Sequence, residues 1–347
     1  MIDPHVHCRD WRECGSETLV HAFTVAHKAG IDAIFEMPNT DPPLISRDAA
    51  VQRIKDGDTA LETAGVPFFH GIYGGITREE DQLKEILDTY HEFRPRLVGL
   101  KMFTGPSTGS LKVSDPGEME KVYRFLADAR YEGVLALHCE DENIIRQNNG
   151  NRPLEAELSS VRINMELAQK TGFLGTIHIC HVTSIKILDL IKKARASGLS
   201  VRCGCTPHHL LLNTEYIQEG NRAFLTMNPP LRSKNTQAGL FNAFLEGEID
   251  WLESDHAPHS IEAKRIQRRA GIPGLHIIPY VISFFKAAGM DRELLKQCSH
   301  GNIEKAFGFS IPDRDKAGSI NLFHEYPADP YLNLLPELKR KYYFTEK

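Results

Sequence analysis

Val134-Leu-Ala-Leu-His138 is a run of four apolar residues closed by a histidine, and the same plan recurs along the chain. Gly175-Thr-Ile-His-Ile-Cys-His181 repeats it, and Val98-Gly-Leu-Lys101-Met-Phe103 carries a lysine where a polar side chain is least expected. With Ile2–His7, Asp32–Met37, Pro67–Tyr73, Leu199–Cys203 and Ile249–Ser254, these make eight candidate strands. Between them lie longer amphipathic segments, read as helices over Glu17–Ala29, Asp48–Lys55, Glu79–Tyr90, Glu118–Arg130, Ser159–Thr171, Ser184–Ser197 and Thr236–Glu246. Short strands alternating with helices predict a parallel sheet. Eight such units predict an α/β fold of the (β/α)8 TIM barrel type, whose chemistry sits at the C-terminal ends of the strands. The barrel is expected over residues 1–315, with 316–347 as an irregular C-terminal extension containing Pro327 and Pro330.

Composition narrows the partners. The 347 residues are 41% hydrophobic and 25% charged, with a net charge of -5, an ordinary globular balance. No basic run tracks a phosphate backbone and no apolar stretch spans a bilayer, so neither nucleic acid nor membrane is expected. The N-terminal Met1-Ile-Asp-Pro-His5 lacks the pattern of a secretion signal. Seven cysteines with no CxxC pair argue against a disulfide framework and for a cytoplasmic setting.

The sixteen histidines carry the functional signal. His5 and His7 alternate on the first strand, so both rings face one side. His138 and His181 end the fifth and sixth strands, Lys101 lies on the fourth and Asp255 follows the eighth. A buried ammonium among imidazoles is costly. A neutral lysine that adds CO2 becomes a carbamate able to bridge two cations. Four histidines, a carbamylated Lys101 and Asp255 could then hold two Zn²⁺ around a shared hydroxide. Arg9 follows His7 by two residues, on the same face, and its planar fork suits a carboxylate. Strand alternation is expected to turn the Cys139 and Cys180 thiols away from the axis, and His208 and His209 are read as structural.

The strings Asp3-Pro-His5-Val-His7-Cys-Arg9, Met37-Pro-Asn39-Thr40, Gly99-Leu-Lys101, His138-Cys-Glu-Asp, His181-Val-Thr-Ser, Thr206-Pro-His208-His209, Asn228-Pro-Pro-Leu-Arg232 and Asp255-His-Ala-Pro-His259 resemble the amidohydrolase superfamily and, within it, the dihydroorotases. The resemblance implies that His5, His7, Lys101, His138, His181 and Asp255 ligate metal, with Asp255 also moving the proton. It implies a substrate-binding set of Arg9, Asn39, Asn228 and His259, and backbone contacts to the substrate ring from Gly271-Ile-Pro-Gly274. The loop after Lys101 is expected to close on ligand through Ser107 and Thr108.

The activity implied is reversible cyclisation of N-carbamoyl-L-aspartate to L-dihydroorotate in pyrimidine biosynthesis. The alternatives are a related hydantoinase or allantoinase, or a non-catalytic scaffold for a transcarbamoylase. A homodimer is expected, with aspartate transcarbamoylase as the associated protein. Many relatives carry an accessory β-sandwich, and here little or none of it is expected. His276 departs from the acidic or hydroxyl residue more usual at the pocket rim.

Overall fold

The computed structural model describes residues 1–106, 111–314 and 324–343. Eight strands follow one another around a barrel: β1 (Ile2–Val6), β2 (Ala33–Glu36), β3 (Phe69–Gly75), β4 (Leu97–Phe103), β5 (Val134–His138), β6 (Thr176–Ile179), β7 (Val201–Cys205) and β8 (Trp251–Leu252). Every adjacent pair is parallel and the spatial order is the sequence order, so this is the expected (β/α)8 barrel. Among the described residues there is no second sheet.

The seam between the last strand and the first is thin. Two residue pairs, Gly204 with Trp251 and Cys205 with Leu252, join β7 to β8. Closure onto β1 rests on a bridge between Val6 and His256, with His7 N donating to His256 O at 2.7 Å.

Period-two alternation divides each strand between two cores. Ile34, Ile72, Leu100, Leu135, Leu137, Ile177 and Ile179 face outward onto the helices. Phe35, Tyr73, Val134, Ala136 and Trp251 face inward, where Ile303, Phe307 and Ile311 from beyond the last strand plug the N-terminal mouth. The Phe307 ring centroid lies 4.8 Å from that of Phe35. Emptying that position would cost roughly 3–5 kcal/mol. The plug leaves the opposite mouth to the polar side chains.

Two helical expectations need correction. The helix expected over Asp48–Lys55 runs Arg47–Ala64, capped by the Ser46 side chain on Ala49 N and ended by Gly65 at φ 63°. Gly57 does not break it because the helix passes so close to β3 that a Cβ there would lie 2.2 Å from His70 Nδ1. The extension expected to be irregular contains a helix, Tyr331–Tyr343. It is held by its apolar face, the Tyr342 ring stacking 5.0 Å from Phe241.

Candidate active site

The C-terminal mouth brings His5, His7, Lys101, His138, His181 and Asp255 into one pocket, which Arg9, Asn39 and Asn228 also line. The imidazoles form a continuous arc, with ring centroids 5.3 Å apart for His5 and His7, 5.2 Å for His5 and His181, and 4.9 Å for His138 and His181. Ser107 and Thr108 lie outside the described residues.

The facing atoms are the donors a metal would use. Asp255 Oδ1 lies 3.3 Å from His5 Nε2 and 3.2 Å from His7 Nε2. Across the mouth, His138 Nδ1 lies 3.1 Å from His181 Nε2. Ligands at about 2.0–2.1 Å around a tetrahedral ion sit roughly 3.3 Å from one another, close to these separations. Two further observations fit an ion. The second nitrogen of His138, Nε2, is 3.0 Å from Glu140 Oε2, which fixes the proton there and turns the Nδ1 lone pair inward. Burial drives His7 down to about 4 and His181 well below its usual range, so both rings are neutral donors.

Strand alternation explains β1, β4 and β5, but the strand-end turns obey a different rule. His178 and Cys180 both face inward, and His181 joins them because its backbone switches to φ 39°. The expectation that Cys180 turns away from the axis is therefore wrong. Its Sγ lies 3.1 Å from Lys101 Nζ, and Sγ, His5 and Glu253 fall within 4.8 Å of one another. Cys139 does pack outward among the helix-facing residues. Asp255 is likewise left-handed at φ 45°. Each such residue costs of order 1–3 kcal/mol, a strain usually found where function requires it.

Arg9 reaches the pocket by the same device. β1 has ended at Val6, and it is φ 56° at Arg9, not continued alternation, that directs the side chain inward. Its Nε donates to Pro258 O at 3.1 Å and its Nη2 lies 3.1 Å from His259 Nε2. Burial, with Arg9 beside it, lowers His259 to about 3, leaving the ring neutral and the guanidinium the local positive charge. Gly271 lines the pocket, but its N–H is bonded to Thr226 O and its carbonyl accepts from Lys264 Nζ. The Gly274 N–H is bonded to His256 Nδ1. The N–H groups of Gly271 and Gly274 are thus bonded within the protein. His276 is buried against Asp329 at 2.9 Å and takes no part in the rim. His209 is structural, bonded to Thr206 Oγ1 at 2.8 Å and to Pro229 O at 3.0 Å beside Asn228. His208 is buried with both ring nitrogens unpartnered.

Sequence reasoning missed Glu253. Fully buried, it accepts from Trp251 Nε1 at 3.0 Å and from His181 N, sits 2.7 Å from His178 Nε2, and comes within 3.7 Å of His5 Nδ1. Gly204 faces it, and a Cβ there would lie 2.2 Å from the carboxylate. The signal was present: Glu253 follows Trp251 by two residues, and period-two alternation carries it inward with that side chain.

The dihydroorotase of Lactobacillus helveticus is 30% identical over 284 residues, 76% of this chain and 61% of the relative. That of Methanosarcina acetivorans is 29% identical over 332 residues, 88% of this chain and 67% of the relative. Over most of its length the chain is similar to curated dihydroorotases. It spans about three fifths of the length of the L. helveticus relative. Solved structures share the fold. An L-hydantoinase from Arthrobacter aurescens superposes with TM-score 0.75 at 23% identity, covering 92% of this chain and 72% of the other. A Saccharomyces cerevisiae dihydroorotase in complex with 5-fluoroorotic acid gives 0.72 at 21%, covering 92% and 86%. No protein-family model matches the chain. His5, His7 and Asp255 form a group that could hold a metal ion.

Proposed function

We propose that this protein is a dihydroorotase, catalysing the reversible cyclisation of N-carbamoyl-L-aspartate to L-dihydroorotate. The observation that carries the reading is the meeting, in one pocket, of six ligand-type side chains with Arg9, Asn39 and Asn228. His5, His7 and Asp255 would hold one Zn²⁺, His138 and His181 a second, and a carbamylated Lys101 would bridge them. Full burial of Lys101 disfavours a free ammonium, and an anionic carbamate would be compensated there by the two cations it joins. When bound, such ions act as Lewis acids and bring the pKa of water toward about 7.

The chain's own residues do the rest. Arg9, with Asn39, Asn228 and His259 around it, grips the substrate α-carboxylate and fixes the ring carbonyl toward the histidines, removing much of the entropic barrier. The Asp255 carboxylate, held well below its ordinary range because His5 and His7 outweigh its burial, is ionised and can accept the proton of the attacking water. It then returns that proton to the departing ring nitrogen, or runs the exchange backward in cyclisation. A carboxylate grip favours an acidic ring over the neutral rings of hydantoin and allantoin.

Residues 1–315 are read as the catalytic barrel and 316–347 as an extension fastened to it, as by Tyr326 Oη donating to Glu17 Oε1 at 2.8 Å. Among the described residues no helix is long and apolar enough to cross a membrane, and all seven cysteines are free. A cytoplasmic homodimer, with aspartate transcarbamoylase as its associated protein, completes the reading. The test is turnover of dihydroorotate, hydantoin and allantoin alongside zinc content and solution mass. Turnover of hydantoin or allantoin without dihydroorotate would overturn the substrate. Well under one metal per chain, with no turnover, would favour a scaffold.

A further inference from the structure

Arg9, Asp10 and Trp11 are three successive non-glycine residues with positive φ, at 56°, 63° and 46°. A chain held there needs outside support, and the support comes from the helix Arg47–Ala64. Arg53 is fully buried on that helix, and its Nη2 donates to Arg9 O at 2.7 Å. Its guanidinium also lies 4.7 Å from the Trp11 ring centroid. One turn further on, Asp56 accepts from Trp11 Nε1 at 2.8 Å. Arg53 is itself fixed by a fork to Glu36 at the end of β2, where Nε donates at 2.9 Å and Nη2 to the other oxygen, and His70 Nε2 holds Glu36 Oε2 at 3.0 Å. Arg53, Asp56, Glu36 and His70 do not line the pocket.

We infer that the Glu36–Arg53 pair is a positioning device for the substrate-carboxylate clamp, setting the enzyme's selectivity for acidic rings by holding the strained Arg9–Trp11 turn. The inference rests on the proposed role of Arg9. The carbonyl that Arg53 grips belongs to the same residue whose guanidinium faces the ligand. Release of that carbonyl lets the turn relax toward ordinary negative φ and withdraws the Arg9 fork from Pro258 and His259. The hydrogen bonds of Arg53 run to Glu36 and Arg9 O, none of them to Lys101, His138 or His181, so these three side chains keep their places when Arg53 is changed.

Arg53→Lys keeps the charge but loses the fork and most of the contact with Trp11. Asp56→Ala, on a half-buried residue, removes only the grip on Trp11 and serves if Arg53→Lys fails to fold. We expect Arg53→Lys to raise the KM for dihydroorotate and the calorimetric Kd for orotate by about tenfold or more, with kcat within about threefold and metal content unchanged. Asp56→Ala should move the same two constants in the same direction by a smaller factor. Equal loss in kcat and unchanged KM, or an unchanged orotate Kd in whichever variant folds, would overturn the inference. Orotate binding separates the two readings. A wild-type protein that binds orotate without turning over dihydroorotate defeats the proposed activity and leaves the inference to be judged on Kd alone, whereas one that neither binds orotate nor turns over dihydroorotate defeats both.

Discussion

Lys101 Nζ lies 3.1 Å from Cys180 Sγ in a layer of the barrel closed to water. The amine thus has a thiol below it and the histidine arc above it. If it is the carbamate that bridges two ions, Lys101→Ala should lower kcat at least about a thousandfold, roughly 4 kcal/mol of barrier. Metal content measured on the same preparations should fall with it. Full activity and full metal in that variant would remove Lys101 from the centre.

Asp255 shares one oxygen between His5 and His7, so its replacement can be made nearly isosteric. Asp255→Asn should reduce kcat by about 10²–10⁴, the range for a lost general acid and base, while the thermal midpoint of the metal-free protein stays close to that of the wild type. Steady-state kinetics and a melting curve check both halves.

The barrel and the metal-type ligands were legible because each depends on a short-range rule: strand period two, and a polar residue at the close of an apolar run. What stayed hidden depends on backbone turns. Nothing local marks His181 or Arg9 as left-handed, so alternation misplaced Cys180 and gave the right pocket for Arg9 by the wrong route. The helix expected over Asp48–Lys55 fell short of its end at Ala64 for a related reason, since the smallness that Gly57 supplies within it is required by His70 on another element. The partners of Gly271 were unreadable because backbone hydrogen bonds across loops leave no trace in residue type.

Glu253 sets the floor under the histidines. Glu253→Gln keeps the shape but removes the charge that faces His178 and His5. By the general cost of disturbing the residues behind metal ligands, metal affinity should fall about 10–100-fold. Competition with a chromogenic chelator measures it, and unchanged affinity would confine Glu253 to a structural part.

Arg9→Met takes away the charged partner of the substrate carboxylate. A hydrogen bond to a charged group contributes about 1.5–3 kcal/mol, so KM for dihydroorotate should rise roughly ten- to a hundredfold with kcat little altered. A matching fall in kcat would mean that Arg9 also acts on the reacting bond.

Acid stability should report on Glu36. Burial would raise its carboxyl, but Arg53 and His70 outweigh that and hold it at about 2, against an ordinary value of 4.5. The folded pKa is depressed, so this stabilisation is present in full above about pH 4.5 and is lost as the pH falls toward 2. Urea unfolding of wild type and Glu36→Gln between pH 6 and 2 should show the gap between them narrowing across that window. A constant gap would mean the pair is not ionised as described.

The seam between β8 and β1 hangs on Val6 and His256, and the two sides of that gap carry His7 and Asp255. An ion gripped by both would rivet the first strand to the last, turning an open staircase of strands into a hoop. Stripped of it, the cylinder should breathe first along that one line, and amide exchange at His7 should quicken before the rest of the wall responds.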